Sequence, residues 1–334
     1  MRYTLAVDGG NSKTDLALVR EDGTLLATAR GRGSSPYHLG VEGALDIIEE
    51  LFERALDESG LTPPADAAEL LLAGVDFPAE EEAVVAAVER RRWTAQLSVD
   101  NDTFAVLRAG TDAGWGVAVV CGAGINCVGV APDGRHARFP ALGWTTGDWG
   151  GGPDVGQEAV FAAARSEDGR GPRTTLEQAV PAYFGLTTPT ELAEAIHFRR
   201  IDSRRAIELA PLVFAEAAQD AVAAGIVERL AAEIVALARV AITRLGLADR
   251  PVEVLLGGGL LQRLDPHLAA AIDAGLAEVG PSITARSTSA PPVLGAALLG
   301  LDTLGAAPGA HARLRTQMAA SAADPVAVGG SGDV

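Results

Sequence analysis

The sequence predicts an α/β protein built from two like-folded units. Three observations carry this reading. A strand, glycine loop, strand, Asp-Gly turn, strand device occurs twice. Each copy is followed by further short apolar runs that alternate with helical patterns. A long helix-rich stretch enlarges the second copy only. In the first copy, residues 3–7 and 16–19 are apolar and flank Asp8-Gly9-Gly10-Asn11-Ser12-Lys13-Thr14-Asp15, and an Asp22-Gly23 turn leads into residues 25–29. In the second, residues 117–120 and 128–131 flank Cys121-Gly122-Ala123-Gly124-Ile125-Asn126, and Asp133-Gly134 leads into residues 135–139. Asp-Gly between extended runs is a strong hairpin signal.

The remaining elements follow in order. Residues 42–59 read as an amphipathic helix, with Leu45, Ile48, Leu51, Phe52, Ala55 and Leu56 on one face. A strand is expected at 70–73, a helix at 80–92, a strand at 96–99 and a helix at 103–109. After the second device, residues 155–165, 176–184, 191–196 and 204–247 are helix-rich, the last broken near Gly225. A buried strand at 252–256 ends in Gly257-Gly258-Gly259. A helix at 266–279, a strand at 283–286 and a helix at 291–304 close the pattern, the last with Pro at its first turn. Domains are expected over 1–110 with 291–306, and over 111–290, joined near residues 109–114. From Ala307 the chain is rich in Ala, Gly, Pro and Ser, so 307–334 reads as a disordered tail.

Composition narrows the function. At 48% apolar residues a sizeable core is available, and 27 basic against 44 acidic residues give a net charge of −17. That balance disfavours a nucleic-acid partner. Cys121 and Cys127 are the whole cysteine content, too few for a disulfide framework, and they read as buried small residues. The chain opens directly on a strand, and no apolar run reaches the roughly 20 residues of a membrane span. A cytoplasmic location with no membrane partner is expected.

Two glycine loops facing each other would clamp a polyphosphate, because their bare backbones let N–H groups approach an anion. In the first, Asp8 can hold Mg²⁺, and Gly9, Gly10, Asn11, Lys13 and Thr14 supply donors. In the second, Gly122, Ala123 and Gly124 do so. Either loop alone reads equally as a tight hairpin. Asp102, just past a strand end, is a general-base candidate; its alternative role is N-cap of the next helix. Alternation puts Asp100 on the other face. The run Gly143 to Gly152 holds Gly147, Asp148 and Trp149, suited to sugar hydroxyls and a sugar face. Asp154 and Glu158 follow at helical spacing as a cap and an exposed acid, or as cleft-lining groups. Gly257, Gly258 and Gly259 permit close approach of a flat group such as adenine. Ser34, Ser35 and His38 follow the third strand as candidate sugar-side residues. The five His residues show no metal spacing.

Asp8-Gly9-Gly10, Asn101-Asp102, Cys121 to Asn126, Gly143-Trp144 with Gly147-Asp148, and Gly257 to Gly259 occur in an order and spacing that resembles the N-acetylglucosamine kinase and BadF/BadG ATPase branch of the actin-like, hexokinase-type superfamily. The resemblance spans residues 2–305. It implies two ribonuclease-H-like domains with a cleft that closes on ATP, Mg²⁺ and a sugar, the second enlarged by helices. It implies Asp8 near Mg²⁺, both glycine loops on phosphates, and Gly257 to Gly259 at the adenosine. Asp102 would be the base, with Ser34, Ser35, Asn101, Asn126, Gly147, Asp148 and Trp149 on the sugar side, and a homodimer is common in the branch. Two departures bear on the substrate. Pro36 stands where the N-acetylglucosamine kinases carry Asn, and Trp149 follows Asp148 where they carry an acid-Gly pair. The Gly-Asp-Trp-Gly-Gly-Gly run is closer to actinobacterial glucosamine kinases. Phosphorylation of glucosamine at its C6 hydroxyl is therefore the leading expectation. N-acetylglucosamine is the alternative substrate, with a non-catalytic sensor and a sugar-independent ATPase behind it.

Overall fold

One strand order is built twice. The computed structural model describes residues 1–323, which divide into two compact units: Met1–Gly114 with the segment returning from Ala290, and Trp115–Ser289. The first unit runs β1 (Tyr3–Gly9), β2 (Lys13–Arg20), β3 (Leu25–Arg32), α1 (Pro36–Ser59), β4 (Ala67–Leu72), α2 (Pro78–Arg91), β5 (Leu97–Asp100) and α3 (Thr103–Gly110). Its sheet has the order β3-β2-β1-β4-β5, antiparallel through the hairpins and parallel from β1 to β5. The second unit runs β6 (Gly116–Cys121), β7 (Ile125–Val130), β8 (His136–Arg138), α4 (Gly151–Glu167), α5 (Leu176–Tyr183), α6 (Pro189–His197), α7 (Ala210–Glu216), α8 (Ala221–Leu245), β9 (Val252–Gly257), α9 (Pro266–Val279) and β10 (Ile283–Ser287). Its sheet, β8-β7-β6-β9-β10, repeats the first order and the same mixture of pairings.

Period-2 alternation sorts β1 between two cores. Tyr3, Leu5 and Val7 share a cluster with Leu45, Ile48, Leu51 and Phe52 of α1 and Val84 and Val88 of α2. Ala6, on the opposite face, joins Ala105 of α3 and Leu294, Ala297 and Leu301 of α10 (Pro292–Thr303). Both faces are covered, so the strand is buried throughout. The second unit's core joins Val117, Val119 and Cys121 of β6 to Ile226, Leu230 and Ile234 of α8.

Three expectations are corrected. Helix α1 starts at Pro36, six residues early, because Pro suits a first turn; Gly40, at φ 69°, then kinks it. The break within residues 204–247 falls before Asp220 and not at Gly225. A 3₁₀ turn (Ser203–Leu209) and α7 come first, and then the Asp220 carboxylate accepts from the Val222 and Ala223 amides at 2.9 and 2.8 Å. That cap starts α8, and Gly225 stays helical inside it. The tail expected to be disordered from Ala307 instead forms α11 (Pro308–Ala323). Its composition hides a stripe of Ala310, Leu314 and Met318, one per turn, all buried in the first unit. Arg315 adds bonds to the carbonyls of Ala109 and Thr111 at 2.6 and 2.9 Å. Residues 324–334 of the expected tail lie outside the described residues. Among those described, no helix is long and apolar enough to cross a membrane.

Leu314 is fully buried, so Leu314→Ala is expected to cost about 2–5 kcal/mol. A urea midpoint identical to that of the parent protein would show that α11 contributes nothing to the first unit.

Candidate active site

In the first unit the glycine device is tighter than its sequence implies. Asp8 and Gly9 still belong to β1 and pair with Asp15 and Thr14, leaving Gly10, Asn11 and Ser12 as the loop. Gly10 N–H donates to the Lys13 carbonyl at 2.9 Å and closes it. Parallel pairing aligns Asp8 with Leu71, and Leu71 with Asp100. The end of β1 therefore comes level with the end of β5, where Asp102 follows.

Asp8 is 7% exposed. Burial, and then the negative charges of Asp102 and Asp15, push its carboxyl up to about 8, against the opposing pull of Lys13 and Arg30. Asp15 is also buried, which acts to raise it, but bonds from Arg30 and Lys13 outweigh burial and hold it below the usual carboxylate range. Lys13 Nζ donates to Asp15 Oδ2 at 2.9 Å and Arg30 reaches both oxygens. The sequence reading aims Lys13 at a ligand; the structure engages it with Asp15. Counting from a three-residue loop would have placed Asp15 opposite Asp8, and period 2 would have put Lys13 beside Asp15.

Asp102 does not cap α3 through its side chain. Asn101 does: its Oδ1 accepts from Thr103 N–H at 2.9 Å, and its Nδ2 donates to Asp76 Oδ1 at 2.8 Å. Asn101, expected on the sugar side, thus spends its amide inside the protein. The Asp102 carboxyl is raised to about 6 by burial, partly offset by the amides of residues 102 and 103. A carboxyl of that kind is ionised at neutral pH and basic enough to take a hydroxyl proton.

Thr14 and Ser34 are likewise turned inward. The Thr14 hydroxyl donates to the Arg32 carbonyl at 2.8 Å and shares a 2.7 Å bond with Ser34 Oγ. Both hydroxyls hold β2 to β3 in this structure, where the sequence reading aims them at ligands. Ser35 differs. It is buried, makes no cap bond to α1, and its Oγ has no partner among the described residues. A buried hydroxyl without a partner is costly unless a ligand supplies one. Asn11 is exposed at the loop tip.

In the second unit three glycine segments converge. Gly122 N–H donates to Gly124 O at 2.9 Å, and Gly152 N–H, from the first turn of α4, donates to Gly122 O at 2.8 Å. A Cβ on Gly151 (φ 85°) would lie 2.8 Å from Gly124 Cα, and one on Gly258 (φ 86°) would lie 2.4 Å from the Cys121 carbonyl oxygen. Glycine is required at both on conformation and on space. Ala123 and Gly124 stay exposed, with Gly257 at the end of β9 and Gly259 open beside them. The sequence reading put Gly151 in the sugar cluster; the structure makes it a brace for the 122–124 loop. Cys121 and Cys127 are buried and free, and burial pushes the Cys121 thiol up to about 12 and raises Cys127 as well. Neither is reactive.

Asn126, second residue of β7, accepts from the Cys127 amide at 2.7 Å. Asp148, after Gly147, accepts from the Thr146 hydroxyl, and its own amide donates to Gly143 O at 3.0 Å. Trp149 packs on the core, with the Arg229 guanidinium 4.0 Å from its ring centre. Arg229 also pairs with Glu158 at 3.6 Å, and Asp154 accepts from Gly150 N–H at 2.8 Å. Asp154 and Glu158 are therefore both engaged. The exposed indole is Trp144, 90% accessible.

Asp8 suits Mg²⁺. Among the described residues no three His, Cys, Asp or Glu side chains gather at one point. A buried carboxylate beside a second carboxylate is what a cation relieves, and Mg²⁺ is bound by one or two carboxylates with phosphates and waters.

A profile of the BadF/BadG/BcrA/BcrD ATPase family matches residues 5–300, which include every candidate residue above. The chain belongs to this family. Two curated proteins resemble it. The N-acetylmuramic acid/N-acetylglucosamine kinase of Clostridium acetobutylicum is 25% identical over 267 residues, 79% of this chain and 87% of that protein. The N-acetyl-D-glucosamine kinase of Dictyostelium discoideum is 25% identical over 318 residues, 90% and 98% of the two chains. Among solved structures, a protein of Chromobacterium violaceum, named provisionally as an N-acetylglucosamine kinase, superposes with a TM-score of 0.67 at 26% identity, covering 90% of this chain and 99% of its own. Family membership and these neighbours support the actin-like α/β fold of two repeated units.

Because native Asp8 binds its proton more tightly than an unfolded Asp, the native state loses stability as pH rises from about 4 towards 8. Asp8→Asn removes that loss. In Mg²⁺-free buffer its urea midpoint is expected to exceed the parent's at pH 8, with the gap closing near pH 4.5. A gap independent of pH would show that Asp8 is not raised.

Proposed function

We propose that this member of the BadF/BadG/BcrA/BcrD ATPase family is an ATP-dependent kinase for an N-acetylated amino sugar, with N-acetylglucosamine the first candidate and its C6 hydroxyl the acceptor. The observation that carries the kinase reading is Asp102: it follows the end of β5, level with Asp8 at the end of β1, and burial raises its carboxyl to about 6. The choice of sugar draws support from the names of both curated relatives. It draws further support from α4, whose Asp154 and Glu158 are engaged by Gly150 N–H and Arg229. Those contacts compete with the pairing the acids would offer a glucosamine ammonium, and glucosamine moves to second place.

In the reaction, the Asp102 carboxylate accepts the proton of the sugar hydroxyl as that oxygen attacks the γ-phosphorus. A new P–O bond to the sugar forms, and the bond to ADP breaks. The amides of Ala123 and Gly124 hold phosphate oxygens, Gly122 N–H being taken by Gly124 O, and Gly257 to Gly259 accept the flat adenine. Asp8 would hold Mg²⁺, which when bound neutralises charge on the phosphates. Asp148 and Asn126 orient sugar hydroxyls.

The test is ADP release with ATP and Mg²⁺ against N-acetylglucosamine, N-acetylmuramic acid, glucosamine, glucose and no sugar. Preference for an N-acetylated sugar supports the proposal, whereas release independent of sugar would make the chain an ATPase of another kind. Asp102→Asn should lower kcat by about 10² to 10⁴. The base must be ionised, so kcat/KM should fall about tenfold per unit below a pH near 6 and level off above it. A flat profile from pH 5 to 8 would remove Asp102 from the role.

A further inference from the structure

We infer that Asp76 is a positioning residue for the base: it holds Asn101 in the rotamer that accepts from Thr103 N–H, and so limits the hold of that amide on the Asp102 carboxylate. The inference rests on the reading of Asp102 as the base.

Helix α3 begins with amides that need an acceptor. Two neighbouring side chains draw on the Thr103 amide: the Asp102 carboxyl, whose rise it partly offsets, and Asn101, whose Oδ1 accepts from Thr103 N–H at 2.9 Å. The far end of the Asn101 amide fixes that sharing. Nδ2 donates to Asp76 Oδ1 at 2.8 Å, a bond to a charged acceptor inside a residue that is only 3% exposed. That bond defines which end of Asn101 faces Thr103. If the amide turned over, NH₂ would face N–H.

Asp76 is itself held. It lies in the loop between β4 and α2, and the Glu80 carboxylate accepts from the amides of Asp76 and Phe77 at 2.8 and 2.9 Å. Glu80 belongs to the first turn of α2 and is fixed by that helix. A continuous path therefore runs from the start of α2, through Asp76 and Asn101, to the start of α3. Two parallel-strand exits are tied together at the residues flanking Asp102. If this path is cut, Asn101 can rotate away from Thr103 N–H and Asp102 can move fully onto that amide, out of line with a substrate hydroxyl. Orientation losses of this kind act on kcat more than on binding.

The test compares Asp76→Ala, Asp76→Asn, Asn101→Asp and Asp102→Asn in full kinetics, varying sugar and ATP. Asp76→Ala should lower kcat by about 10- to 100-fold with both KM values little changed. Asp76→Asn keeps an oxygen for Asn101 Nδ2 and should restore kcat to within about threefold of the parent. Asn101→Asp keeps a cap acceptor but loses the donor and faces Asp76 with like charge, so it should resemble Asp76→Ala. This variant is close to isosteric and still decides the question if Asp76→Ala does not fold. An unchanged kcat in Asp76→Ala, a loss confined to KM, or a loss that Asp76→Asn does not restore would each overturn the inference. An active Asp102→Asn would instead overturn the kinase reading itself, so the two failures are distinguishable.

Discussion

Parallel pairing of β1, β4 and β5 is the constraint on which the first unit's chemistry depends. Asp8, Leu71 and Asp100 stand in one register, so the chain leaves β1 and β5 at the same edge of the sheet. Two carboxylates are brought together there against their own electrostatics. Nothing local favours this. Burial and like charge both act to protonate Asp8. The arrangement persists because apolar cores cover both faces of β1 and hold the register. Lys13 and Arg30 neutralise the third acid, Asp15, beside it. A site that is unfavourable alone but stabilised by a cation and phosphates is the expected bargain at a functional centre.

The second unit repeats the topology with different electrostatics. Where β1 delivers Asp8 to its glycine loop, β6 delivers the neutral, buried Cys121 to the next. The loop that follows offers exposed backbone and glycine braces, with no acid at the strand end. One copy of the device presents carboxylates and the other presents amides. Each copy is thereby suited to a different charge, the first to a cation and the second to an anion. The duplication therefore supplies a scaffold twice, and single residues at the strand ends decide the chemistry of each copy.

The repeated device was legible in the sequence because glycine loops and Asp-Gly turns are local signals. Tertiary competition was not legible. Asn101 and Asp102 are equivalent caps on paper; in the structure Asn101 accepts from Thr103 N–H while its amide reaches the distant Asp76. Gly225 looked like a helix break because glycine is a poor helix former, yet the Asp220 cap a few residues earlier sets the boundary and leaves Gly225 inside α8. Thr14 and Lys13 looked like phosphate donors, but the short hairpin turns the first inward and pairs the second with Asp15. Residues 308–323 looked like a tail because Ala, Gly and Ser dominate. The helix exists because three apolar side chains, one per turn, find a place on the first unit.

The nature of the sugar turns on charge at its nitrogen. A free amine is an ammonium at neutral pH and needs a carboxylate to replace its water; an acetamide is neutral and needs one acceptor and one donor. Near Trp149, Asp154 accepts from a backbone amide and Glu158 pairs with an arginine that also covers the indole. That arginine puts positive charge beside the indole, which disfavours a second cation there. On the proposed reading an acylated nitrogen therefore asks less of these groups than a charged one, and the N-acetylated sugar is placed ahead of the free amine on that ground.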